Sequence, residues 1–171
     1  MSDLRKPFFD NLIELANRDN CIVFLTGDLG FNHAEEYAKS HRERFLNCGC
    51  MEDSMVDIAV GMALVGKKPY VYSVINFLLF RAWEQVRNDI SYNCANVKLI
   101  GVSGKESYRF LGVSHNLMED DDYRDVNERD EDVALLMTLP NMQIYTPKTV
   151  KELNDCMVAS WIAESPTYIR L

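Results

Sequence analysis

Of the 171 residues, 47% are hydrophobic and 26% charged, enough apolar material to bury one core of ordinary domain size. A formal net charge of −8 excludes indiscriminate nucleic-acid binding, which needs a cationic face to displace counterions. No run of about 18 apolar residues is present to span a membrane as a helix, and the opening residues Met1 to Pro7 lack the apolar stretch of a signal peptide.

In chain order, Leu4, Phe8, Leu12 and Leu15, with Phe9 and Ile13, share one face of a first helix. A β-branched run follows at 21–26, and 44–46 is a weaker strand candidate. Met55, Ile58, Ala59, Met62 and Ala63 recur at helical spacing over 51–65. A strand at 69–73 leads to a helical pattern at 77–90, carrying Phe80, Trp83, Val86 and Ile90. Further strands are expected at 97–102, 142–145 and 167–170, with a helix at about 150–163. Thr149 followed by Glu152 suits a capping box at the start of that last helix.

Strands alternating with helices predict βαβ units, hence a three-layer α/β/α domain around a mostly parallel, six-stranded sheet. With no internal repeat and no linker, residues 1–171 form a single domain in this scheme. The stretch 104–132 breaks the rhythm. Its second half, 119–132, is strongly acidic, as expected of a solvated loop. The five cysteines are odd in number, and Cys48-Gly49-Cys50 is a lone pair without a second one. They are expected to be reduced thiols in a cytoplasmic protein.

Parallel sheets bind ligands beyond the carboxyl ends of their strands, here at 27–28, 74–77, 101–105 and 146–147. No G-x-G-x-x-G follows a strand, and neither a phosphate-cradling loop nor a G-x-S-x-G elbow is present. Dinucleotide, nucleoside-triphosphate and hydrolase sites are thereby disfavoured.

More specific is an ordered set of motifs. Asn47-Cys48-Gly49-Cys50-Met51-Glu52, continued by Met55, Ala59, Gly61, Ala63 and Leu64, is similar to N-x-G-I-x-E-x-x-M-x-x-x-A-x-G-x-A-L of the transketolase family. The run from Phe77 to Asp89 matches its F-x-x-F-R-A-x-E-Q-x-R-N-D helix. Gly112-Val113-Ser114-His115 resembles its G-x-[ST]-H loop, and Leu139-Pro140-Asn141 with Pro147 its L-P-N-x-x-x-x-x-P turn. Thr26-Gly27-Asp28-Leu29-Gly30 matches its first strand end. Together these cover nearly the whole chain and resemble the domain that holds the aminopyrimidine of thiamine diphosphate.

The resemblance implies roles. Glu52 would bond N1′ of the pyrimidine, favouring the imino tautomer whose 4′-nitrogen takes the C2 proton. Phe77, Phe80 and Trp83, at i, i+3 and i+6, would line the ring's pocket on one helical stripe, with Phe80 the expected stacking partner. Trp83 stands where the family often has Tyr. Asp28 would sit beside the thiazolium. His115 would face the substrate and assist proton transfer. Arg81, Glu84, Gln85 and Arg87 are expected in surface or interface ion pairs. Residues 121–130 look like an insertion that would reshape the substrate mouth or dock a partner.

No metal motif for the diphosphate is present in the sequence. The resemblance therefore implies a second, diphosphate-binding subunit that holds Mg²⁺, in an α2β2 assembly active only as a complex. Met51, Met55, Ala59, Gly61 and Ala63 are candidates for close helix contacts there. The implied activity is transketolase-like ketol or acyl transfer between small keto and aldehyde substrates. A 2-oxoacid decarboxylase or acyloin synthase subunit and a non-catalytic orphan domain are the alternatives.

Overall fold

Long apolar runs with no polar alternation suit strands buried on both faces, and the sheet has that character. A computed structural model of the chain describes residues 3–103, 108–117 and 131–171. The strands are β1 (Ile22–Thr26), β2 (Phe45–Asn47), β3 (Lys68–Val74), β4 (Lys98–Val102), β5 (Gln143–Tyr145) and β6 (Thr167–Arg170). They form one sheet in the order β2-β1-β3-β4-β6-β5, parallel throughout. The weak candidate at 44–46 is thus a real edge strand.

The helices are α1 (Arg5–Arg18), α2 (Glu35–Ser40), α3 (Glu52–Leu64), α4 (Trp83–Gln85), α5 (Glu131–Leu136) and α6 (Val150–Ile162). Two cores result, one on each sheet face. Phe8, Phe9 and Leu12 of α1 pack with Leu153 and Met157 of α6 over Phe24, Tyr70 and Tyr72. On the other face Met55, Val56 and Ala59 of α3 join Leu78, Leu79, Val86 and Leu136 over Leu25, Val71 and Leu99. Tyr70, Val71 and Tyr72 of β3 alternate between these cores, as strand geometry requires.

Three features depart from the sequence pattern. The expected helix at 77–90 is a short α4 between two π-helical stretches, Asn76–Arg81 and Val86–Tyr92. π turns bond i to i+5, so they break a stripe laid out for 3.6 residues per turn. Second, α2 and a 3₁₀ turn at Arg42–Arg44 have no apolar periodicity; only Tyr37 of α2 is buried. Third, Asp132, grouped above with a solvated acidic loop, is fully buried. It accepts hydrogen bonds from Tyr168 (2.5 Å) and Arg170 (3.0 Å), which fasten α5 to β6. The acidic residues 119–130 lie outside the described residues.

The Thr149 cap forms half of its box. Glu152 N–H donates to Thr149 Oγ1 at 3.2 Å, while the Glu152 carboxylate accepts from Lys148 N–H at 2.7 Å. All five cysteines are free thiols.

Candidate functional site

The site begins in the turn that launches α3. Asn47 ends β2, and its Oδ1 accepts from Gly49 N–H (2.9 Å) and Asp28 N–H (3.0 Å). Its Nδ2 donates back to Asp28 Oδ1 at 3.0 Å. Asp28 adopts φ 58, a left-handed conformation that Asp tolerates in turns, and Gly49 adopts φ 70. This clasp reverses the chain so that Glu52 becomes the first residue of α3. Asp28 itself is exposed, at the rim beside Gly27.

Glu52 is 1% exposed although it carries a carboxyl group. Such burial demands partners. Ser73 Oγ, fully buried on β3, donates to Oε1 at 3.1 Å, and Arg81 Nη1 reaches Oε2 at 2.5 Å. A methyl group added to Gly27 would lie 3.1 Å from Oε1 and 3.4 Å from Gly49 O. Glycine at 27 is therefore what lets the carboxyl sit against the strand end. Oε1 is walled in, and Oε2 is the oxygen presented to the wider site.

Beyond Oε2 the Arg81 guanidinium lies 4.5 Å over the Phe77 ring. His115 meets the same ring edge-on, with centroids 4.8 Å apart. Ser114 Oγ donates to Leu111 O (2.9 Å), which spends its only proton. His115 Nδ1, 2.8 Å from the serine oxygen, is then the donor of that pair, which in the neutral tautomer leaves Nε2 as the acceptor. Its Nε2 keeps a lone pair, the form a general base requires. The loop carrying His115 is tied down by Asn76, whose Nδ2 donates to Val113 O (2.9 Å) and Asn116 O (3.2 Å). Gly112 allows the loop's reversal at φ 60.

The 3₁₀ segment Arg109–Ser114 also links this site to a cavity of about 230 Å³. Tyr108, 5.4 Å from the His115 ring, lines that cavity with Arg5, Gly30, His33, Tyr72 and Ser103. Tyr72 and Ser73 are neighbours on β3 and point to opposite sheet faces. The cavity and the Glu52 carboxyl therefore flank the carboxyl end of one central strand, where open parallel sheets place their ligands.

The sequence candidates separate into groups. Glu52, Phe77 and His115 are brought together, joined through Arg81. Asp28 is one residue from Gly27, at the rim. Phe80 is 38% exposed, and Phe77 rather than Phe80 carries the stacked cation. Trp83 is half-buried and packs against the α3-side core. The π turns account for this split of the expected stripe. Arg81 is not a surface ion pair but the partner of the buried carboxyl. Ser73, Asn76 and the cavity residues Arg5, His33 and Tyr72 were not singled out from sequence. Ser73 and Tyr72 had a usable signal, polar atoms inside an otherwise apolar run at a strand's carboxyl end.

The chemistry of these side chains suits a flat heterocycle: Glu52 supplies a carboxyl oxygen and Phe77 an aromatic face, and in this structure the Arg81 guanidinium, itself flat, holds both. Asn76 Oδ1 is buried with no partner among the described residues. No group of three or more His, Cys, Asp or Glu among the described residues is arranged to hold a metal ion, and no described helix is long and apolar enough to cross a membrane.

Comparison with known proteins identifies the family. Residues 1–125 match the family model described as transketolase, pyrimidine binding domain. The chain is 34% identical over 168 residues to an apulose-4-phosphate transketolase subunit of Phocaeicola vulgatus, covering 98% of this chain and 50% of that protein. It is 28% identical over 169 residues to a subunit of 6-deoxy-6-sulfo-D-fructose transketolase from a Clostridium species, covering 98% and 49%. Among solved structures, a split-gene transketolase described as an inactive beta4 tetramer superposes with a TM-score of 0.81 at 32% identity, covering 98% of this chain and 50% of that one. The chain thus spans about half the length of these relatives. By its matched residues and its parallel α/β sheet, the chain belongs to the transketolase pyrimidine-binding domain family.

Proposed function

We propose that this chain is the pyrimidine-binding part of a split, thiamine diphosphate-dependent transketolase-like enzyme that acts with a separate diphosphate-binding subunit. The observation that carries the proposal is Glu52. It is a buried carboxyl at a helix start, with one oxygen fixed by Ser73 and the other held by Arg81, whose guanidinium lies over the Phe77 ring.

Glu52 would hold N1′ of the aminopyrimidine and exchange a proton with it, while Phe77 supports the ring face. Phe80 and Trp83 would complete the pocket's walls. Asp28, at the rim, would place a negative charge near the thiazolium. When bound, the cofactor supplies a carbon nucleophile that takes a two-carbon ketol unit from one carbonyl compound to another. His115, with Nε2 free to accept, would move protons on substrate oxygens. The adjoining cavity is polar enough to seat a hydroxylated substrate. Mg²⁺ would be held with the diphosphate by the partner, in an α2β2 complex.

Exposed apolar residues along one side of α3 support a permanent partner. Leu64 is 75% and Val65 77% exposed, with Met51 and Ile58 also uncovered. Met55 and Ala59, by contrast, face the core, and Gly61 faces out. Two relatives are named as transketolase subunits, which supports ketol transfer over 2-oxoacid decarboxylation. The test is co-expression with a diphosphate-domain subunit, followed by assay with several keto donors. Glu52→Gln should abolish turnover while assembly persists, and unchanged turnover would remove Glu52 from the mechanism.

A further inference from the structure

We propose that Arg81 is a built-in stand-in for the cofactor's pyrimidine. Its guanidinium occupies the place between Glu52 Oε2 and the Phe77 ring, and an arriving aminopyrimidine must displace it. The inference rests on the cofactor reading above and adds to it a competitor supplied by the chain itself.

The two groups ask for the same contacts. A guanidinium is flat, carries in-plane N–H donors and stacks on aromatic faces. An aminopyrimidine is also flat and needs a carboxyl oxygen in its plane and an aromatic surface beneath it. Arg81 has both contacts, 2.5 Å from Oε2 and 4.5 Å over Phe77. Glu52 has no spare oxygen to offer. Oε1 accepts from Ser73 and lies so close to Gly27 that even a methyl group there would sit 3.1 Å from it. N1′ can therefore reach Glu52 only at the oxygen that Arg81 holds.

Arg81 is built to leave. Its side chain is 44% exposed, so the stem can swing outward without opening the core. Glu52 is its only hydrogen-bond partner among the described residues, although a guanidinium has five N–H donors. It also has reason to be there. With Ser73 as sole donor, a buried carboxylate would be poorly compensated. The helical spacing matters as well, because Phe77 and Arg81, four residues apart, lie on one face of their helical turn, which sets the guanidinium over the ring.

The test titrates the cofactor's pyrimidine half, 4-amino-5-hydroxymethyl-2-methylpyrimidine, into the full chain by calorimetry, comparing wild type, Arg81→Lys and Arg81→Ala. Arg81→Ala should bind about tenfold more tightly than wild type because the competitor is gone. Arg81→Lys, which keeps the charge and loses the planar stack, should fall between. Equal or weaker binding by Arg81→Ala overturns the inference and leaves the pyrimidine reading standing. No binding to any form removes both. Should Arg81→Ala fail to fold, wild type alone decides through the ¹⁵N side-chain resonance of Arg81, assigned by its loss in Arg81→Lys. At saturating pyrimidine that resonance should move toward the position of a solvated arginine, and a stationary signal overturns the proposal.

Discussion

Ser73 Oγ donates to Glu52 Oε1 across 3.1 Å, joining the carboxyl end of β3 to the first residue of α3. Both side chains are buried, so no water competes for the bond. A hydrogen bond to a buried charged group contributes about 1.5–3 kcal/mol, and its main effect here is to fix the carboxyl's orientation. Ser73→Ala should weaken pyrimidine binding by about tenfold, the equivalent of some 1.4 kcal/mol. In the Ser73→Ala/Glu52→Gln double variant the serine change should cost nothing further, because the pair acts as a unit. Additive losses would show that Ser73 works by another route.

Gly27 sets the clearance on the other side of the same carboxyl. An alanine methyl there would press on Glu52 Oε1 at 3.1 Å, closer than an ordinary contact. Gly27→Ala should therefore displace Glu52, reduce pyrimidine affinity at least tenfold and cost about 1–3 kcal/mol of stability by overpacking. Gly61→Ala is the contrasting change. Nothing lies within 4 Å of the added methyl, and alanine is the better helix former by about 1 kcal/mol. The lone chain should melt higher with Gly61→Ala. If Gly61 meets the partner, co-purification of the two chains should weaken, and undiminished assembly would place the interface elsewhere.

Much of this arrangement was legible because most of the sheet writes itself in short apolar runs, the edge strand β2 being the weakest of them. Glu52 was legible through its place in an ordered motif. Arg81 was not, because a charged residue in a helical pattern reads as solvent-facing. Its bond to Glu52 joins residues 29 apart in the sequence, which no local periodicity records. The π turns, which leave no mark in a periodicity based on 3.6 residues, split Phe77 from Phe80 and Trp83. Asp132 was hidden by its acidic neighbours, since composition averages over a buried carboxylate bonded to Tyr168 and Arg170. The cavity was illegible for a different reason. Arg5, His33, Tyr72 and Tyr108 come from four separated segments, and only the strand order brings them together.

Asn76 gives a separate handle on substrate chemistry. Its amide holds the carbonyls of Val113 and Asn116, on either side of His115, and touches neither Glu52 nor the Phe77 ring by any hydrogen bond. Asn76→Ala should free the loop and let His115 drift from its place against Phe77. Misplacement of a reacting group by about 1 Å can cost on the order of 100-fold in rate. In the reconstituted enzyme, kcat/KM should fall about 10- to 100-fold while pyrimidine affinity stays within about twofold. A parallel loss of both would mean that Asn76 supports the pyrimidine pocket instead.

Asp19 supplies a stability marker away from the site. Burial alone would push its carboxyl up. Hydrogen bonds from Lys68 Nζ (2.9 Å), Trp161 Nε1 (2.9 Å) and Cys21 N–H (2.8 Å) outweigh burial and hold it down at about 2. Against an ordinary value of 3.8 in the unfolded chain, the unfolded state takes up the proton first as pH falls. The stabilisation is thus complete above about pH 4 and is lost as pH falls through about 2. Asp19→Asn should lower stability by about 1–2 kcal/mol at pH 7 in urea melts. That difference should shrink steadily between pH 4 and pH 2 and should leave pyrimidine affinity unchanged. A gap between variant and wild type that is the same at pH 2 as at pH 7 would show that the carboxylate's charge is not what ties the ends of β1, β3 and α6 together.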